Sequence, residues 1–244
     1  MKLEGKTALV TGASSGMGRS IALALAAEGI QVGLLARHRD KLKQVRSEIE
    51  SAGGRAFVVP ADVNEVDQVE EAVRETAAQG GGLQILVNNA GLGLFKPVEE
   101  LSLEEWDKHI DVMLRGAFIV TKAALPHIYA GEAGHIFFIS SLWAKRFCGT
   151  CSAYTAAKFG VRGFAQSLRE EARQHNVRVT NIMPGTVNTP FFEKANWNAD
   201  LDRALLPEDV AYCLVSALKL PDRAMVEELV MQSMQPGPGT CSTG

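Results

Sequence analysis

The chain has 244 residues, 46% hydrophobic and 22% charged, with a formal net charge of -3. A chain of this length suits one large α/β domain and can bury roughly 70–75% of its unfolded surface, so it needs neither disulfides nor a metal to fold. The small net charge, with no cluster of Lys and Arg, gives no footing for nucleic acid, and no apolar run approaches the roughly 20 residues that span a bilayer, so no membrane is expected.

Met1 to Lys6 is polar and has no charged-then-apolar signal layout. Four cysteines are too few to imply a disulfide framework, and the location expected is cytoplasmic. Thr7–Thr11 is a short apolar run that reads as a buried strand. A Gly-rich turn leads into a helix over 18–28, with Ile21, Ala22 and Leu25 on one face, which stops at Gly29. Strands are expected over 31–36 and 55–60, followed by helices over 40–52 and 65–79. The fourth strand covers 84–88. A long helix over 103–129 follows, opened by a Ser102/Glu105 capping box and open to interruption at Pro126. The fifth strand covers 135–140, a second long helix 152–174, and the sixth strand 177–183. Pro207–Leu218 is a last helix, 225–231 a last strand, and 236–244 a Gly- and Pro-rich tail that reads as loose.

No repeat or linker interrupts the chain, so 1–244 reads as a single domain. Strand and helix alternate throughout. That implies a doubly wound, Rossmann-type α/β fold: a parallel seven-stranded sheet with helices on both faces. Such sheets bind ligands beyond the carboxyl ends of their strands, where the strand order reverses. The loops after the first, fourth, fifth and sixth strands therefore carry the search for function.

After the first strand comes Thr11-Gly12-Ala13-Ser14-Ser15-Gly16-Met17-Gly18. Gly12 allows a sharp turn, Gly16 lets backbone approach a pyrophosphate, and Gly18 lets the helix pack close. The helix N-terminus adds free N–H groups and a positive dipole end. A tight structural turn is the plainer reading of the same glycines. The second strand then bears on the ligand. Dinucleotide sites for NAD place Asp or Glu about 20 residues after the glycines, against the ribose 2′-hydroxyl. Here Arg37 stands in that place, and a guanidinium suits a 2′-phosphate; Arg39 is positioned to assist. The expected cofactor is NADP(H), unless Arg37 is only a solvated residue after a strand. Asp62 and Val63, after the third strand, suit either an adenine amino group or a cap for the next helix.

Tyr154 and Lys158 stand four residues apart in YTAAK and share a helix face. A phenol with a reference pKa of about 10 trades protons poorly near neutrality, and a nearby ammonium lowers that value. The pair is weak alone, but it keeps company. Asn88-Asn89-Ala90-Gly91 ends the fourth strand, Ser140-Ser141 the fifth, and Pro184-Gly185 the sixth, with Thr186-Val187-Asn188-Thr189 following. TGASSGMG, NNAG, the Ser-Ser ahead of YTAAK, and PGTVNT, in this order, resemble the short-chain dehydrogenase/reductase family across residues 5–232.

The resemblance implies an oxidoreductase interconverting a carbonyl and an alcohol on a small-molecule substrate. Tyr154 would be the acid/base and Ser141 would hold the substrate oxygen, with Ser140 the competing choice. Lys158 would lower the Tyr154 pKa and bind the nicotinamide ribose. Asn89, Ala90 and Gly91 would line the cofactor, and Pro184, Gly185, Val187 and Thr189 would position its ring. It also implies a homo-oligomer, dimer or tetramer, built on the two long helices, and a variable substrate-covering segment over 190–206. One departure stands out. The family usually carries Asn, which helps hold a water linking the lysine to solvent, where this chain has Met113. A thioether is only a weak acceptor. That leaves a second function open: a cofactor-binding sensor or scaffold with little turnover.

Cys148 and Cys151 form a CxxC, readable as small pocket-lining residues, a redox pair or half a zinc site; no metal is expected. Trp143, Phe147, Phe191, Phe192 and Trp197 suit an apolar substrate wall or packing within the core or between subunits. His109 and His127 read as surface or interface residues of the long helix.

Overall fold

Thr7–Thr11 forms strand β1 with every residue buried, as its run of apolar residues requires of a strand covered on both faces. The computed structural model describes residues 2–195, 197 and 200–235; the tail expected over 236–244 lies outside the described residues. Six further strands follow: β2 (Gln31–Leu35), β3 (Arg55–Val58), β4 (Ile85–Asn88), β5 (Gly134–Ile139), β6 (Val177–Pro184) and β7 (Glu228–Met231). They form one parallel sheet in the order β3-β2-β1-β4-β5-β6-β7. Strand order reverses between β1 and β4, so the crevice for a ligand opens there.

Helices α1 (Gly16–Ala27), α2 (Arg39–Ser51) and α8 (Pro207–Leu218) cover one face, packing with Ala8 and Val10 of β1. Helices α3 (Val66–Gly80), α5 (Gly116–Tyr129) and α6 (Ser152–Ala172) cover the other, packing with Leu9. Adjacent residues of one strand thus serve two cores, as the alternation of side chains across a sheet demands. No helix among the described residues is long and apolar enough to cross a membrane.

Three expectations are corrected. The long helix over 103–129 is not broken at Pro126, which sits inside α5. It changes instead at Ile110–Arg115, a π turn between α4 (Leu103–His109) and α5. Ser102 does open it with a full capping box to Glu105. The last strand starts at Glu228 rather than 225. Ahead of it the chain is held by side chains: Thr180 Oγ1 donates to the Val226 carbonyl at 2.5 Å, and Val179 N–H donates to Met225 Sδ at 3.4 Å. His109 lies inside, not on the surface of the long helix, at 0% exposed; Met113, one turn on, is 2% exposed.

β7 is an edge strand, and charge ties it to α6. Arg162 donates to both carboxylate oxygens of Glu228, at 2.6 and 3.1 Å. Arg169 reaches the Glu227 carboxylate at 3.0 Å and its carbonyl at 3.1 Å, and Arg173 the same carboxylate at 3.2 Å. Hydrogen bonds from Arg162, with Lys145 adding to them, hold the Glu228 carboxyl down at about 2.

Candidate active site

A cavity of about 350 Å³ runs along the carboxyl ends of the strands. The loop after β1 forms its floor. Gly12 and Gly16 have φ of 67° and 52°, and a Cβ on Gly18 would lie 2.2 Å from the Gly12 carbonyl oxygen, so the loop folds onto the first turn of α1 only with glycine there. Gly18 itself does not line the cavity; Gly12, Ser14, Ser15, Gly16 and Met17 do. Ser15 caps α1 without spending its side chain. The N–H groups of that first turn lack intrahelical partners and are available to a phosphate.

Thr11 and Asn89 stitch the crevice together. Thr11 Oγ1 accepts from the N–H groups of Asn89 and Ala90, both at 2.9 Å, and Asn89 Nδ2 donates to the Thr11 carbonyl at 2.9 Å. The Asn89 side chain therefore braces two loops, while Asn89, Ala90 and Gly91 together form wall.

At one end Arg37 and Asp62 face each other at 3.9 Å, with Val63 beside them. One Asp62 oxygen accepts from the Asn64 N–H at 3.0 Å, so the turn uses it, and α3 starts later, capped by Glu65. Arg39 begins α2 and is not part of the wall; His38 and Lys41 are, and the sequence reading missed both. Lys41, four residues after Arg37 and in the first turn of α2, was the findable one.

At the other end stand Ser141, Tyr154 and Lys158, on α6 and the loop after β5. Lys158 Nζ donates to the Ile139 carbonyl at 3.0 Å and lies 5.5 Å from the Tyr154 ring centroid. The Ser140 hydroxyl donates to the Lys158 carbonyl at 3.4 Å, whereas the Ser141 hydroxyl lies beside the Tyr154 phenol. Burial pushes Tyr154 up to about 12, with Ser141 opposing, and pushes Lys158 down to about 8. With burial the larger influence, the phenol stands above its ordinary value in this structure. Pro184, Gly185, Val187 and Thr189 close the cavity from β6 and the loop beyond it, followed by Phe191 and Phe192 at the start of α7 (Phe191–Lys194).

Met113 borders both this cavity and a side chamber of about 10 Å³, room for roughly one water. Lys158 and Asn88 also line the chamber. Asn88 Nδ2 donates to Thr121 Oγ1 at 2.9 Å, but its Oδ1 has no partner among the described residues.

Of the expected aromatic wall, Trp143 and Phe191 meet the Tyr154 ring, as does Phe95, which the sequence reading missed; Trp197 packs on Phe95 and Trp143, and of these rings Phe191 alone lines the cavity. Phe192 stacks edge-on to Phe191, and Phe147 is 83% exposed and apart. Cys151 is a free, buried thiol that burial pushes up to about 11, the opposite of what a redox-active thiol needs.

The family profile described as short chain dehydrogenase matches residues 6–200. An uncharacterized oxidoreductase of Staphylococcus aureus is 35% identical over 230 residues, 94% of this chain and 98% of that protein. An alcohol dehydrogenase of the archaeon Thermococcus sibiricus, solved with 5-hydroxy-NADP, superposes with a TM-score of 0.88 at 32% identity, covering 96% of this chain and 98% of the other. A metagenomic short-chain oxidoreductase solved with NADP gives 0.84 at 35% identity, covering 96% and 100%.

Proposed function

This chain belongs to the short-chain dehydrogenase/reductase family, whose members are oxidoreductases binding a nicotinamide cofactor, and from that premise we propose that it reduces a small-molecule aldehyde or ketone with NADPH. The observation that carries the reading is one cavity with a guanidinium, Arg37, at one end and the Ser141, Tyr154 and Lys158 side chains at the other. The glycine floor and the unspent N–H groups of α1 fit a pyrophosphate between them. Arg37, with Lys41 near it, would hold the 2′-phosphate, and Asn89, Ala90, Gly91, Pro184, Gly185, Val187 and Thr189 would flank the rest.

When bound, NADPH supplies the hydride. The substrate oxygen accepts hydrogen bonds from Ser141 and Tyr154. Tyr154 would give up its proton to that oxygen, the C=O π pair becoming the new O–H bond. A phenol at about 12 keeps its proton at neutral pH, which suits a donor. Lys158 then matters by offsetting the phenolate charge as it forms. Tyr154→Phe should lower turnover by roughly 10²–10⁴-fold while NADPH binding, followed by its fluorescence, persists. Turnover near that of the unaltered protein would defeat the assignment.

The buried thioether of Met113 beside Lys158 supports a second reading, a cofactor-binding sensor without turnover. Cofactor binding with no oxidation by any member of a carbonyl panel would favour it.

A further inference from the structure

The side chamber of about 10 Å³ has three polar side chains in its wall: Thr11, Asn88 and Lys158. The other side chains there, Met113, Phe138 and Val161 among them, are apolar. Thr11 is already satisfied. Its hydroxyl accepts from the N–H groups of Asn89 and Ala90 and donates to the Val87 carbonyl at 3.4 Å. Asn88, at the end of β4, is 6% exposed. Its Nδ2 is taken by Thr121, which is not part of the chamber wall, and its Oδ1 is buried without a partner among the described residues. A buried amide oxygen left in that state carries the full cost of losing its water.

Lys158 is likewise 6% exposed. An ammonium has three donors, and among the described residues only the Ile139 carbonyl takes one, at 3.0 Å. Tyr154, on the same helix, is its ionisable neighbour, and Arg162, one turn on, is paired with Glu228. No other charged or ionisable side chain lines the chamber, whether from β1, β4, β5, the π turn or α5. Lys108 lines only the larger cavity. A buried acceptor short of a donor and a buried donor short of acceptors thus share one chamber, with no hydrogen bond joining them directly and room for roughly one water.

We propose that Asn88 and Lys158 bind one water between them in this chamber, and that Asn88 is thereby a positioning residue that keeps Lys158 charged. The water accepts from Lys158 Nζ and donates to Asn88 Oδ1, so one molecule satisfies two buried groups. A hydrogen bond given by the ammonium favours its charged form, against the burial that pushes Lys158 down to about 8. The consequence for turnover rests on the reading that Tyr154 protonates a carbonyl; the water site does not.

The site is tested first in a crystal of the unaltered protein. Ordered water density should lie within about 3.2 Å of both Asn88 Oδ1 and Lys158 Nζ, and a dry chamber would overturn the proposal. The charge is read by NMR on protein carrying 13C-labelled lysine, with the Lys158 signal identified by its loss in Lys158→Met. Asn88→Leu removes the acceptor. Ala117→Val, in the chamber wall on α5, takes the space and leaves Asn88 in place. Each should lower the Lys158 midpoint by about one pH unit, the effect of one hydrogen bond to a charged group. Asn88→Asp keeps an acceptor and should hold the midpoint at or above its original value, which a merely structural role would not produce. A midpoint unmoved in Asn88→Leu and Ala117→Val would overturn the positioning role. Neither measurement needs turnover. Where a carbonyl is reduced, the alkaline fall of kcat should begin about one unit earlier in Asn88→Leu. A midpoint that moves with no carbonyl reduced keeps the water site and removes the reductase reading.

Discussion

At one end of the cavity the Arg37 and Asp62 side chains are 67% and 32% exposed and face each other across 3.9 Å of partly wet space; at the other, Tyr154 and Lys158 are only 8% and 6% exposed. An ion pair open to water contributes little to stability, so the first end is free to serve a ligand. Burial dominates the second, moving phenol and ammonium towards their neutral forms. The same pairing, a cation beside an ionisable oxygen group, is thus wet in one place and dry in the other, and under the proposed function the first would recognise while the second would react.

Three experiments bear on that contrast. The largest effect is expected at the wet end: Arg37→Asp should cut the preference for NADPH over NADH by roughly ten- to a hundred-fold, with thermal stability unmoved. An unchanged preference would take Arg37 out of the argument. The dry end should answer to pH. A lysine pushed down to about 8 loses its charge as pH rises through that value, so reductive kcat should fall roughly tenfold per unit above it, in Arg37→Asp as in the original protein. A profile flat to the alkaline limit would mean the ammonium does not matter to the step. The smallest effect is expected from Met113→Asn, which puts an amide beside the chamber that Lys158 and Asn88 share. Turnover should rise several-fold if proton exchange through that chamber limits it; an unmoved kcat places the route elsewhere.

Features set by local pattern were legible beforehand. The TALVT run, the glycines after it, the Ser102/Glu105 box and the Tyr154/Lys158 spacing each depend on residues within a turn or two of one another, and each stands where expected. What was not legible depends on distance in the chain. Phe95 is an ordinary apolar residue until Trp143, Phe191 and Trp197 arrive from other segments. His109 looked like a surface histidine because its partner, the Leu94 N–H, is a backbone group that no side-chain pattern announces. The π turn at Ile110–Arg115 contains no Pro or Gly to mark it. The direction of the Tyr154 shift required knowing how dry the site is, which the Lys158 spacing alone does not tell.

The arginines on α6 give the edge strand a significance its four residues would not suggest. Arg169 is 5% exposed and spends two of its hydrogen bonds on Glu227, so freeing the strand would strand a cation in the interior, a far larger penalty than losing a surface pair. The helix that carries Tyr154 and Lys158 at its beginning is latched at its far end to the rim of the sheet. Reactive alignment at one extremity and integrity of the last strand at the other are, mechanically, a single rod with two fastenings.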